Sequence, residues 1–176
     1  MEVSMSFLEL AKRRYSCRKY QERKVEQEKL EAILEAGRVA PTAANYQPQR
    51  VLVLQSEEGM ARVAKAARTF QAPLVLIICV DRDEAWKRSI DAVQTTDIDA
   101  SIVTDHMMLA AADLGLDSVW ICYFNADIIR EEFNLPEHYV PVNILAIGYG
   151  EGKAQSPDRH DRLRKPISQT VTYESF

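Results

Sequence analysis

Apolar side chains recur along this chain in two rhythms, and the switches between them mark its elements. Phe7, Leu8 and Ala11 fall at helical spacing within residues 4–13. That interval places side chains on one helix face. Residues 27–39 repeat the pattern with Leu30, Ile33, Leu34 and Gly37 on one side, until Pro41 breaks it. Val51–Leu54 reads as a short strand, and residues 57–68 as a helix turning Met60, Val63, Ala64 and Ala67 inward. Leu74–Val80 is apolar without interruption, which predicts a strand covered on both faces. Residues 82–97 are polar, broken by Trp86 and Ile90, and read as a mobile cover. The helix predicted over 98–114 carries Ile98, Ile102, Val103, Met107 and Met108 nearly all round it, so it is expected to be buried. Gly115 closes that helix.

Ser118–Phe124 is a third predicted strand, and Asn125 caps a short helix running to Phe133. Pro136 and Pro141 bound a loop before a fourth strand, Val142–Ile147, and Val171-Thr172-Tyr173 reads as a last short strand. Helices and strands mix without regular alternation, which predicts an α+β fold rather than a doubly wound sheet. A length of 176 residues suits one domain, 1–176.

Charge changes this picture little in sum and more in its distribution. A formal charge of -4 and a pI near 5.5 argue against a general nucleic-acid binder. The basic residues nonetheless cluster between Lys12 and Lys24, either as a solvated face or as a polyanion patch. Cys17, Cys79 and Cys122 stand apart. Their spacing suggests no metal site or disulfide framework and suits a reducing, cytoplasmic setting. No signal-peptide pattern opens the chain. The longest apolar run is too short to cross a bilayer, so no membrane partner is expected.

Protein-borne chemistry is scarce. Gly148-Tyr149-Gly150-Glu151-Gly152 follows a strand, yet no helix opens after it and Pro157 follows soon, so a plain turn is the better reading. His106, His138 and His160 are scattered, and His106 reads as a satisfied core histidine. Asp97, Asp99 and Asp105 read as helix-start acids and a solvated stripe. No nucleophile elbow is present. An enzyme built this way needs an organic cofactor to carry the reaction. Two distant basic segments point the same way: Arg14-Tyr15-Ser16-Cys17-Arg18 and Arg162-Leu163-Arg164-Lys165. Guanidinium forks beside a hydroxyl suit a shared phosphate.

The segments "RRYSCRKY", "APTAANYQPQR", "DIDASIVTDHMMLAAADLGLDSVWICYF" and "RLRKPISQTV" together resemble the nitroreductase family of FMN-dependent oxidoreductases, in the family's order and over nearly the whole chain. The resemblance implies a central mixed or antiparallel sheet flanked by helices. It also implies an intertwined homodimer with two FMN sites at its interface and a C-terminal arm, 153–176, exchanged to the partner. By position, Arg14, Tyr15, Ser16, Arg18, Arg162 and Arg164 would hold FMN from one subunit. Pro41, Thr42, Ala43, Asn45 and Gln47 would come from the partner. Arg68 would be a basic flavin contact, and the backbone at Cys122 and Tyr123 would line the ring. Tyr15, Gln49 and Tyr123 depart from the residues common at those places. The implied activity is ping-pong hydride transfer from NADH or NADPH through FMN to nitroaromatics, quinones or related electron-poor acceptors. No catalytic side chain and no metal are expected. The other reading is a flavin-binding carrier or sensor without turnover.

Overall fold

The computed structural model describes residues 5–176. Four strands form one antiparallel sheet: β1 Gln49–Leu54, β2 Leu74–Asp81, β3 Asp117–Ile121 and β4 Tyr139–Gly148, in the spatial order β1-β2-β4-β3. Every residue of β2 is buried, as its apolar run predicts. Alternation along the strand divides its side chains between two cores. Leu74, Leu76, Ile78 and Val80 join a cluster with residues of α2 Gln27–Arg38 and α4 Thr96–Asp113. Val75, Ile77 and Cys79 join a second cluster with Val63 of α3 Glu57–Ala64 and Ile129 of α5 Ala126–Glu132. Helices thus cover both faces of an α+β sheet.

Local chemistry sets the helix ends. Ser6 and Glu9 form a reciprocal capping box, so α1 runs Phe7–Arg13 and begins later than the predicted residue 4, which lies outside the described residues. The Asn125 side chain accepts from the Asp127 and Ile128 amides and opens α5 where predicted. Gly115, at φ 74°, supplies the left-handed turn after α4, and Leu116 N–H returns to the Ala111 carbonyl at 2.9 Å. Where α2 crosses α4, a Cβ on Gly37 would lie 2.9 Å from the Met107 side chain.

Several other boundaries differ from expectation. The helix predicted over 57–68 stops at Ala64, because Ala67 bridges to Phe124 and the Ala66 carbonyl accepts from Asn125 N–H. For the same reason β3 ends at Ile121 rather than Phe124. Pro141 lies inside β4, not in a loop; the register slips between Ile78 and Cys79, and this bulge accommodates a residue without an N–H. Val171-Thr172-Tyr173 forms no strand and follows a short 3-10 helix, Ile167–Gln169. The 82–97 cover is a hairpin-like turn with Lys87 bridged to Gln94 and Ile90 at its exposed tip, and α4 begins within it at Thr96.

The N-terminal segment docks on the β3–β4 side of the sheet. Ser16 bridges Ser118 in parallel, and Cys17 N–H donates to the Ser118 carbonyl at 2.9 Å. Tyr20 bridges Gly150, and its hydroxyl donates to the Cys17 and Ala146 carbonyls at 3.0 and 3.2 Å. Nearby, the Tyr149 hydroxyl donates to Glu26 at 2.7 Å and the Arg23 guanidinium stacks 3.9 Å from the Tyr149 ring. Lys29 joins that hydroxyl to the Leu114 carbonyl at the end of α4.

Two measurements test this anchoring. A Cβ at Gly148 would fall 2.5 Å from Pro73 Cδ. Gly148→Ala should therefore destabilise the protein by about 1–3 kcal/mol in urea unfolding. The Tyr149 hydroxyl, with the Glu26 backbone amide and Arg23, holds the Glu26 carboxyl down at about 2. A depressed folded-state pKa contributes stability that is present above the ordinary value of 4.5 and is lost as pH falls toward about 2. The melting temperatures of wild type and Tyr149→Phe should differ most near neutrality and converge toward that acid limit.

Candidate functional site

The two basic segments meet. A cleft of about 280 Å³ is lined by Arg14, Tyr15, Ser16 and Arg18 from the N-terminal segment and by Gln155, Arg159, His160, Leu163 and Arg164 from the C-terminal one. The later residues surround α6, Arg159–Leu163. Its first residue acts as a clasp: the Arg159 guanidinium donates to the Lys12 and Ser156 carbonyls at 3.0 and 2.9 Å and to the Arg14 carbonyl at 2.6 Å. His160 Nε2 lies 3.1 Å from the Lys12 carbonyl.

The lining contains four arginines and no carboxylate. Burial, then the charges of Arg159 and Arg164, push the Arg14 guanidinium below its ordinary pKa, opposed only in part by Asp105. Cations held together in partial burial without a counter-charge raise the energy of the cleft, and an anion placed there relieves it. Tyr15 forms one wall. Its phenol is pushed up by burial and by neighbouring Asp117, whose own carboxyl is raised by burial. Asp117 accepts from Gly150 N–H at 3.1 Å, and a Cβ on Gly150 would fall 2.3 Å from that carboxylate.

Arg18 continues the site beyond the cleft. It also lines a trough of about 270 Å³ with Arg68, Phe70, Trp120, Cys122 and Tyr123. Both guanidinium groups lie over the Phe70 ring, 5.9 Å from its centre for Arg18 and 5.0 Å for Arg68. Left-handed backbone at Phe70 and Gln71, φ 57° and 59°, makes the turn that holds this ring. Tyr123 is 95% exposed, so none of the described residues covers its ring.

The loop 41–48 lies elsewhere. None of Pro41, Thr42, Ala43, Asn45 and Gln47 lines the cleft or the trough. Three non-glycine residues in it have left-handed backbone: Ala44 at φ 49°, Asn45 at 59° and Gln47 at 53°. Each such residue costs of order 1 kcal/mol and persists only where its surroundings hold it. The Thr42 hydroxyl accepts from Gln47 N–H at 3.0 Å, and Ala43 N–H donates to Asp99 at 2.9 Å.

The structure therefore unites Arg14, Tyr15, Ser16, Arg18 and Arg164 in one cleft and places Arg68, Cys122 and Tyr123 in the adjoining trough. Arg162 is exposed and lines neither. Sequence reasoning missed Gln155, Arg159, His160 and Phe70. Arg159 and His160 carried a signal, since they directly precede the basic run at 162–165. Asp99 lies in the first turn of α4, as the helix-start reading has it, but it is wholly buried and belongs to no solvated stripe. Among the described residues, no group of His, Cys, Asp and Glu gathers to hold a metal ion, and no helix is long and apolar enough to cross a membrane.

Arginines converging beside an aromatic trough on a doubly covered antiparallel sheet define a class, and comparison with known proteins identifies it. The nitroreductase family model matches residues 11–72 and 63–149, and the chain belongs to that family. A nitroreductase family protein from Clostridium difficile 630 is 56% identical, with a TM-score of 0.96 over 98% of this chain and 100% of its own. A provisionally assigned nitroreductase from Exiguobacterium sibiricum, solved in complex with FMN, is 26% identical with a TM-score of 0.83, covering 98% and 99% of the two chains. A relative from Methanothermobacter thermautotrophicus, provisionally named NADH dehydrogenase/NAD(P)H nitroreductase, is 31% identical across 89% of this chain and 82% of its own. The FMN reductase [NAD(P)H] of Bacillus subtilis is 29% identical across 82% and 66%.

The clasp is open to test. Arg159→Ala removes all three guanidinium contacts to carbonyls. Limited proteolysis within residues 153–176 should then run several-fold faster, roughly as expected for one charged hydrogen-bonding anchor lost.

Proposed function

We propose that the protein is an FMN-dependent NAD(P)H oxidoreductase of the nitroreductase type. The observation that carries this reading is the cleft in which four arginines converge without a carboxylate. The raised energy of Arg14 there fits a doubly charged phosphate better than a neutral ligand. Arg14, Ser16 and Arg164 would hold that phosphate, with Arg159 keeping the two segments together. Tyr15 would form the side wall.

Arg18 and Arg68 flank the trough, where a fixed cation stabilises negative charge developing on the polar edge of a ring without having to reorganise. The backbone at Cys122 and Tyr123 would lie along the ring. FMN held there would supply hydride transfer, in alternation, from NADH or NADPH to a nitroaromatic, quinone or related electron-poor acceptor. The names of the relatives and the FMN complex of the Exiguobacterium protein support this reading.

The site is completed by a second copy of the chain. Asn45, with Pro41, Thr42, Ala43 and Gln47, would reach the ring from the partner, since these residues stand apart from the cleft of their own chain. Exposed Phe7, Leu8, Leu163, Ile167, Tyr173 and Phe176 supply apolar surface for such an interface. Residues beyond Arg164 would form the exchanged part of the arm.

Purified protein should be yellow, and NADH or NADPH should bleach it anaerobically. The double variant Arg14→Ala, Arg164→Ala should lose FMN by roughly a hundredfold or more in affinity, as for two charge-assisted contacts, with its circular dichroism unchanged. Flavin content equal to wild type in that variant would sink the shared-phosphate reading.

A further inference from the structure

Among the described residues, Asp99 is the one acidic residue buried completely, and nothing in the hydride chemistry above uses it. Its carboxylate carries out two tasks at the start of α4. One oxygen accepts from Ala43 N–H at 2.9 Å, and the other accepts from the Thr95 hydroxyl at 2.8 Å. Thr95 in turn donates its own N–H to the Trp86 carbonyl at 3.2 Å, at the base of the cover hairpin. One buried side chain thereby joins the left-handed loop, the helix and the cover.

The far end of the loop is held to the sheet, where Asp81 N–H donates to the Pro48 carbonyl at 2.8 Å and the Arg50 guanidinium donates to the Gln47 carbonyl at 3.3 Å; Asp99 is the tether of its near half. Among the described residues, every other hydrogen bond made by residues 41–46 stays within the loop and its immediate continuation, as Asn45 N–H to Thr42 and Tyr46 N–H to Ala43 illustrate. Those internal bonds set the shape of the turn, the Pro48 and Gln47 carbonyls fix its C-terminal end, and Asp99 fixes its N-terminal end. The left-handed residues Ala44, Asn45 and Gln47 would relax toward ordinary backbone if the turn came free. A buried carboxylate is a costly way to hold one amide unless its neighbours compensate it. Here the N-terminal end of α4, with its free N–H groups and positive dipole end, supplies part of that compensation.

We propose that Asp99 is a positioning residue that fixes the Ala43–Gln47 turn in the conformation that presents Asn45 to the flavin ring of the partner subunit. The proposal rests on the flavin reading given above. Asp99 touches neither the cleft nor the trough, so it acts only through the loop.

Asp99→Asn and Asp99→Ala test it. The asparagine oxygen still accepts from Ala43 N–H, and the Thr95 hydroxyl can turn to accept from the new amide. The alanine abolishes both contacts. Amide hydrogen exchange at Ala43–Gln47 and the FMN dissociation constant are measured on each. Asp99→Ala should exchange roughly tenfold faster or more at Ala43 and bind FMN roughly tenfold more weakly, the order expected for a lost charged hydrogen bond. Asp99→Asn should lie close to wild type in both. Wild-type exchange and affinity in Asp99→Ala overturn the proposal, and so does an Asp99→Asn variant as impaired as the alanine. If Asp99→Ala does not fold, Thr95→Val removes one support of the carboxylate and should move both readouts in the same direction; no movement counts against the proposal. Wild-type protein that binds no FMN would refute the flavin reading instead, while the exchange comparison still decides whether Asp99 holds the turn.

Discussion

The convergence of Arg14, Arg159 and Arg164 in a partly buried cleft whose lining holds no carboxylate is the constraint on which the site depends. Like charges at the two ends of a chain do not approach without compensation. Arg159 meets part of the requirement by donating to main-chain carbonyls at Lys12, Arg14 and Ser156. The Arg14 guanidinium is left without a carboxylate in the cleft and titrates below its usual value. A fold that keeps such a cluster intact needs a rigid platform on both sides, and the doubly covered sheet provides it.

The platform explains how the two parts of the site keep their spacing. Ser16 and Cys17 are docked on the main chain of β3 through Ser118, so the cleft inherits the rigidity of the sheet. β3 then leads directly to Cys122 and Tyr123 in the trough. The cleft and the trough are therefore both positioned by β3 and share Arg18 at their junction. The loop 41–48 obeys a different logic: it is strained, remote from the cleft, and held through a buried carboxylate.

Much of this was legible in the sequence where a single physical cause dominates. The apolar run of β2 announced a strand covered on two sides, and Asn125 and Gly115 marked helix ends through capping chemistry that needs no tertiary context. Failures arose where distant contacts decide. The pairing of Ala67 with Phe124 shortens both a helix and a strand, and no local pattern encodes it. Pro141 enters β4 because a bulge removes the need for its missing N–H. Asp99 read as a helix-start acid and is one, but its burial and its bond to Ala43, 56 positions away, are tertiary and leave no local trace. The basic runs were visible as clusters, but the orientation that brings in Arg164 and leaves out Arg162 depends on the short α6 turn.

Because the Arg159 clasp grips carbonyl oxygens, it does not depend on the identities of the side chains at Lys12, Arg14 or Ser156. Evolution is thus free to rewrite those side chains for other ligands while the two chain ends stay fastened. The junction behaves as a fixed socket with interchangeable fittings, and variation in ligand preference can accumulate there without first rebuilding the fold.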